Sequence, residues 1–104
     1  MKLQKIESKV KEGSRYERYE LGKYIVTYSV HSYDNGSYWK NVSVTATERY
    51  LPEIYYNDLF GEEIKFTIQT TAYGSLEVEE IQKVIAGYQM AIEAVEILTK
   101  KFIG

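Results

Sequence analysis

The sequence predicts an α+β domain: an antiparallel meander of about four strands, with one long C-terminal helix packed on one face. Three observations support this class. Apolar and polar residues alternate with a period of two over much of residues 3–73, turn-forming residues separate the alternating stretches, and residues 76–102 carry a helical period. At 104 residues the chain has the length of a single domain, residues 1–104.

The first alternating stretches are "KIESKV" and "RYERYEL", which flank the turn signal "KEGS". They predict a strand near residues 3–11, and then a long strand from about residue 15 that bends at Gly22 and continues to 33. The alternative for the first stretch is a helix, because its aliphatic residues could also share one helical face: Leu3, Ile6 and Val10.

The hairpin at "YDNGS" is decided by the phase of the apolar residues around it. A two-residue Asn35-Gly36 loop would place even positions opposite odd ones, so the two apolar faces would not coincide. A three-residue loop, 34–36, pairs Tyr33 with Ser37 and brings the apolar faces together. We therefore predict a type I turn with Gly36 in the left-handed conformation and a G1 bulge. The expected pairs are Tyr28–Val42, Val26–Val44 and Tyr24–Ala46.

The connection "ERYLPEIYYNDLFGEE" leads to the last predicted strand, "EIKFTIQTTAY". Pro52 and Gly61 suggest a helical turn inside the connection. With the apolar residues of the strands on the core side, the other side of the sheet becomes a surface rich in hydroxyl groups. This surface is either a solvated sheet face or a polar platform for a ligand. Its expected residues are Thr27, Ser29, His31, Asn41, Ser43, Thr45, Thr47, Lys65, Thr67, Gln69 and Thr71.

The helix is expected to begin after Ser75, which is the predicted N-cap. No capping box is expected, because the residue three positions after Ser75 is Val78, whereas the motif needs Glu or Gln there. A wide apolar face is expected to cover the sheet. It consists of Ile81, Val84, Ile85, Tyr88, Ala91, Ile92, Val95, Leu98 and Phe102.

A second, weaker apolar face lies beyond a polar strip on the same helix. Gly87 within a helix costs roughly 1 kcal/mol relative to Ala, which close approach of another backbone would offset. We predict that this face forms the interface of a homodimer or higher oligomer. The alternative is that the 49–60 segment folds over it within the same chain. The interface residues would be Ala86, Gly87, Met90, Ala94 and Ile97.

Composition excludes several classes of function. The chain is 44% hydrophobic and 27% charged, which is typical of a globular protein. Without cysteine it can form neither disulfides nor thiolate–metal sites. The net charge of −2 shows no basic excess, so duplex nucleic acid is not an expected partner. The start of the chain mixes charged and apolar residues, which predicts no signal peptide or membrane span and a cytoplasmic location.

No motif in the sequence carries catalytic chemistry. His31 is the only histidine, and no acidic cluster accompanies it at the spacing of metal ligands. The glycines form no phosphate-binding loop, and the Glu62-Glu63 and Glu79-Glu80 pairs lie where capping explains them. We therefore predict a protein that is not an enzyme, with no catalytic residues, metal or cofactor.

Candidate recognition residues concentrate in the 49–60 connection. Tyr and Arg are enriched at binding hot spots, and long loops often carry function. The alternative is that these rings fill the open end of the domain. The candidates are Arg49, Tyr50, Tyr55, Tyr56 and Phe60, together with Trp39 at the sheet margin.

In overall appearance the chain resembles small proteins of Gram-positive phages and mobile elements, through "HSYDNGSYWKNVSV" followed by "GSLEVEEIQKVIAGYQMAIEAVEIL". Many such proteins counter host defences, as anti-CRISPR inhibitors or as sponges for nucleotide signals. The resemblance implies stoichiometric capture of a host protein or a small nucleotide, and it assigns no residue a role.

For a nucleotide, we expect a pocket at the dimer interface, with Arg49 on phosphate and Tyr55, Tyr56 or Trp39 stacked on the base. Two alternatives stay open. One is a structural homo-oligomer, and the other is a binder of single-stranded nucleic acid through Tyr and Trp stacking.

Overall fold

A computed structural model describes residues 1–57 and 64–103. Within these residues lie two sheets and one helix, which confirms the α+β class. The strands are β1 (Leu3–Lys11), β2 (Ser14–Leu21), β3 (Tyr24–Ser32), β4 (Tyr38–Ala46), β5 (Ile54–Asn57) and β6 (Lys65–Ile68), and the helix is α1 (Val78–Phe102).

The main sheet is an antiparallel meander in the order β1-β2-β3-β4. Residues 3–11 form a strand as predicted, and the helical alternative for them is wrong. An irregularity between Lys5 and Glu7 interrupts the pairing of β1 with β2. The tight turn at "KEGS" joins Lys11 to Ser14, with Gly13 at a φ of 73°.

The long strand predicted to bend at Gly22 is instead a hairpin. Leu21 pairs directly with Tyr24, so the chain reverses over the two residues Gly22 and Lys23. Gly22 has a φ of 58°. The first position of a two-residue hairpin loop needs a positive φ, which glycine adopts without strain. The reversal makes two strands, β2 and β3, where one was expected.

The hairpin between β3 and β4 has the predicted register. Tyr28 pairs with Val42, Val26 with Val44, and Tyr24 with Ala46. The Tyr33 N–H donates to Ser37 O at 2.9 Å, and Gly36 has a φ of 85°, so the three-residue loop is confirmed.

The connection after β4 was predicted less well. Residues 54–57 form strand β5 where a helical turn was expected, and β5 pairs with β6 in a separate two-stranded sheet. β6 ends at Ile68, so Ala72 lies outside the strand to which it was assigned. Gly61 lies outside the described residues.

The helix begins later than predicted. Its N-cap is Glu77, and the Glu80 carboxylate accepts a hydrogen bond from the Glu77 N–H at 3.3 Å in a capping-box arrangement. Ser75 is therefore not the cap, and the expected absence of a capping box is wrong. A glutamate replaces the serine or threonine that usually starts this motif.

The helix is also rotated from the expected orientation. Its buried residues are the small ones Gly87, Ala91 and Ala94, together with Leu98. Three isoleucines expected to cover the sheet are exposed: Ile81, Ile85 and Ile92. The core forms between these small helix residues and the inward side chains of the strands, which include Leu21, Tyr24, Val26, Val42, Val44, Ile54 and Phe66.

Candidate functional site

The segment that follows β4 is tied at both ends to the main sheet. The Thr47 hydroxyl and N–H both donate to Lys23 O, at 2.6 and 3.1 Å. Farther along, the Tyr24 hydroxyl donates to Pro52 O at 2.6 Å inside the core. Burial raises the pKa of Tyr24 above its ordinary value, so this donor stays protonated. Residues 48–51 are thus anchored between two fixed points.

Gly87 lets this segment lie directly against the helix. A Cβ built on Gly87 would be 2.1 Å from Tyr50 O and 3.5 Å from Leu51 Cα. No side chain larger than hydrogen fits in this position without a shift of the backbone. The glycine predicted to permit a close backbone approach does so, and the backbone belongs to the same chain.

A groove forms along this contact, between residues 48–51 and one side of the helix. Its volume is about 430 Å³. The helix contributes an apolar floor, and charged side chains lie around it. We call it the Arg49 groove, and its lining residues are Glu48, Arg49, Tyr50, Leu51, Lys83, Ala86, Gly87 and Met90.

Tyr50 is held rigidly at the edge of the groove. Its hydroxyl donates to Glu80 Oε2 at 2.5 Å, and the Tyr73 ring packs beside it with centroids 5.9 Å apart. The hydrogen bond lowers the pKa of the Glu80 carboxyl and raises the pKa of the Tyr50 hydroxyl. The Arg49 guanidinium lies 5.3 Å from the centroid of the Tyr50 ring, within the range of a cation–π contact.

The groove holds two cations, Arg49 and Lys83, whose charges also act on the nearby Glu80 carboxylate. Among the described residues, neither Arg49 nor Lys83 forms an ion pair. Arginine presents a planar fork that binds phosphate through two hydrogen bonds, and lysine adds a mobile point charge. The groove can therefore hold a small molecule that joins an anionic group to an apolar body.

The structure gathers only part of the predicted recognition set in this groove. Arg49 and Tyr50 line it. Tyr55 is exposed on β5 and donates to Gln69 Oε1 at 3.1 Å, while Tyr56 packs on Phe66 with centroids 5.3 Å apart. Phe60 lies outside the described residues.

Trp39 does not share a site with Arg49. It lies near the start of β4, and about 23 Å of strand separates it from Ala46 at the other end. One chain therefore does not bring Arg49 and Trp39 together, and a pocket that combines them across a dimer interface stays a prediction. Trp39 instead belongs to an exposed aromatic group with Tyr33 and Tyr38 at the β3–β4 turn, which we call the aromatic edge.

The helix face predicted to form a dimer interface packs within the chain. Gly87 and Ala94 are buried, and Met90 and Ile97 pack against the core. Ala86 is exposed beside the groove. The assignment of Gly87 and Ala94 to an intermolecular surface is wrong, because the 50–51 backbone already occupies that side of the helix. The alternative in which the chain folds over its own helix is the one observed.

Lys83 was missed by sequence reasoning, and so was a buried charge in the middle of β2. The Glu17 side chain is 3% exposed and accepts hydrogen bonds from Arg15 and Tyr19, with Lys5 Nζ 3.6 Å away. Burial alone would raise the pKa of Glu17, but these bonds outweigh it and lower the pKa below its ordinary value. Burial, reinforced by the bond to Glu17, raises the pKa of Tyr19 to about 12.

The one histidine has a structural environment. His31 Nδ1 lies 2.7 Å from Ser14 Oγ, and the ring packs edge-on against Tyr33 with centroids 4.7 Å apart. Across residues 1–57 and 64–103, no group of three or more acidic or histidine side chains could hold a metal ion. No helix in the same ranges is long and apolar enough to cross a membrane.

Comparison with protein-family models, with curated proteins and with solved structures gives no match.

Proposed function

We propose that this chain is a non-enzymatic binding protein that captures a small nucleotide in the Arg49 groove. The observation that carries the proposal is the placement of Arg49 and Lys83, neither of which forms an ion pair within residues 1–57 and 64–103, beside an apolar floor. A volume of about 430 Å³ falls within the range of small-molecule sites and suits one nucleotide.

Each part of a nucleotide has a complementary surface in the groove. Arg49 binds the phosphate through its fork, and Lys83 approaches it from the helix. The base lies against Met90 and Ala86, whose apolar surface it removes from water. This arrangement replaces the expected pocket at a dimer interface with one that a single chain provides.

Capture without chemistry is supported by the kind of polar groups that line the groove. Arginine is a hydrogen-bond donor only, and the Tyr50 hydroxyl is committed to Glu80. The groove therefore supplies charge and shape for binding. In a phage or mobile element, such capture would lower the free concentration of a host nucleotide signal, as the resemblance implies.

The proposal is tested by calorimetric titration of a panel of linear and cyclic nucleotides. Arg49→Ala and Lys83→Ala should each weaken binding at least about tenfold, since a charge-assisted phosphate contact contributes about 1.5–3 kcal/mol. Lys11→Ala, which removes an exposed cation at the far end of the sheet, is the matched control and should bind as wild type does. Equal affinity in all three variants would remove the proposal.

A second function is favoured by the aromatic edge. Tyr33, Tyr38 and Trp39 are all large, exposed rings, and such rings are enriched at the centres of protein interfaces. Strand alternation places Tyr38 and Trp39 on opposite sides of the sheet, so a partner protein would contact the rim of the β3–β4 hairpin. The far position of this rim makes the second function independent of the groove.

Trp39 is the only tryptophan, so its fluorescence distinguishes a ligand bound in the Arg49 groove from one bound at the aromatic edge. Nucleotide binding in the groove should leave Trp39 emission unchanged, because the ring is a strand length away. Quenching of Trp39 by single-stranded oligonucleotides that fades with added salt would instead indicate base stacking on the aromatic edge.

A further inference from the structure

Strand β1 is a long edge of the main sheet. It runs over nine residues, and within the described parts of the chain it pairs only with β2. Every second residue of an edge strand directs its N–H and C=O groups away from the sheet, where a further strand can pair with them. Native proteins usually keep such edges short or covered, whereas Ile6 and Val10 on this one are 50 and 76% exposed. The edge is therefore open to another strand.

A cavity of about 470 Å³ lies between the start of this edge and the last turns of the helix. Leu3 and Lys5 pair with the buried residues Leu21 and Tyr19, so both lie on the helix side of the sheet. The residue of a fifth strand opposite them would project on the same side, into the cavity. We call it the β1 cavity, and its lining residues are Leu3, Lys5, Tyr19, Ile97, Lys100 and Lys101.

The β1 cavity combines apolar side chains with three cations. Lys5 Nζ lies 3.6 Å from the buried Glu17 carboxylate. Lys100 and Lys101 are exposed, and neither forms an ion pair with another residue that the structure describes. The helix dipole accounts for lysines in a last turn, and edge strands often carry lysine, but neither effect requires the lysines of both elements to line one cavity. The cavity therefore suits an anionic group beside an apolar one.

We propose that β1 binds an extended acidic segment of a partner protein as a fifth strand, with one apolar side chain of that segment in the β1 cavity. Main-chain hydrogen bonds to the edge supply affinity, and the cavity selects the side chain. The lysines of β1 and of the helix end select acidic neighbours through charge complementarity. A second copy of β1 is not the occupant, because the strand carries three lysines and one glutamate, so two copies would set like charges side by side.

The β1 cavity is separate from the Arg49 groove. The helix residues that line the groove end at Met90, and those that line the cavity begin at Ile97, roughly 10 Å farther along the helix axis. The two cavities have no lining residue in common. This inference therefore does not rest on the proposed function.

Fluorescence anisotropy with synthetic peptides tests the chemistry of the partner. The probe is a fluorescein-labelled, end-blocked nonapeptide with a central leucine between glutamate-rich arms, and it should bind wild type with a dissociation constant in the micromolar range. The same peptide with lysine in place of glutamate should bind at least about tenfold more weakly, because it meets like charge. A third peptide keeps the glutamates but carries N-methyl groups on its backbone amides. It should also bind at least about tenfold more weakly, because it cannot donate to the edge.

A pair of charge reversals tests the position of the site. Lys101→Glu should weaken binding of the acidic peptide at least about fivefold, since it replaces an attraction by a repulsion. Lys65→Glu makes the same change of charge at an exposed position on β6 and should bind as wild type does. Circular dichroism checks that both variants are folded. Failure of the acidic peptide to bind wild type, equal binding of the lysine or N-methylated peptide, or equal affinity in the two variants would each overturn the inference.

Discussion

Gly87→Ala reverses the usual effect of adding a methyl group to a helix. In an exposed helix this change stabilises by about 1 kcal/mol. Here the new Cβ would be 2.1 Å from Tyr50 O, so the helix and the 48–51 segment would have to separate by roughly 1.3 Å to reach ordinary contact. Neither side of the clash is a flexible side chain that could rotate away.

The magnitude follows from these opposing effects. Overpacking a tight site costs about 1–3 kcal/mol or more, and a main-chain clash belongs at the upper end. After the gain in helix propensity is subtracted, we expect Gly87→Ala to lower the free energy of unfolding by about 2 kcal/mol. For a domain of this size the melting temperature should fall by roughly 8–16 °C.

Urea denaturation followed by circular dichroism measures the change. Ala86→Gly, at the exposed neighbouring position, is the control and should lose only about 1 kcal/mol through helix propensity. If Gly87→Ala were instead as stable as wild type or more so, the Tyr50 carbonyl would not lie against the helix. The Arg49 groove would then lack the side that residues 48–51 form, and the site would be refuted together with the packing.

Two further changes probe the anchoring of the core. Tyr24→Phe removes the hydrogen bond to Pro52 O and leaves a buried carbonyl without this donor, so calorimetric melting should show a loss of about 1–3 kcal/mol. Hydrogen bonds from Tyr19 and Arg15 lower the pKa of Glu17 in the folded protein below its ordinary 4.5. Their contribution to the free energy of unfolding is therefore complete above pH 4.5, and it disappears as the pH falls through the lowered pKa. Glu17→Gln should therefore melt well below wild type at pH 7, with a gap that narrows below about pH 4.5; a gap independent of pH would contradict this assignment.

The strand register shows how much a sequence pattern can determine. The apolar residues of β3 and β4 coincide on one side only with a three-residue loop, and the pairs Tyr28–Val42 and Val26–Val44 follow from that phase alone. The same reasoning applies to Gly22. Buried Tyr19 and Leu21 occupy odd positions, while buried Tyr24 and Val26 occupy even ones.

A continuous strand through Gly22 would place those two sets on opposite sides of the sheet. A two-residue hairpin places them on the same side. The switch of the apolar residues from odd to even positions at Gly22 therefore indicated a chain reversal, which the prediction of one bent strand overlooked. The β5–β6 hairpin had no comparable signal, because its strands are only four residues long and Pro52 suggested a helix start.

The helix orientation could not be obtained from hydrophobicity. The larger apolar side chains predicted one buried face, but the backbone at Tyr50 and Leu51 packs against Gly87, and Ala91 and Ala94 are buried on the same side of the helix. Close packing favours small side chains where a backbone approaches, and a hydrophobic pattern does not contain that information. This rotation brings Lys83 beside Arg49 and leaves the isoleucines exposed. It explains why the candidate site was predicted in part.

Native mass spectrometry of the purified protein with a nucleotide panel tests the central claim most directly. If the Arg49 groove captures a small nucleotide, at least one member of the panel should add a single ligand mass per chain. The adduct should be lost in the Arg49→Ala/Lys83→Ala double variant and kept in Lys11→Ala. If no nucleotide adds to wild type, or if the double variant retains the adduct equally, the groove is not a nucleotide site.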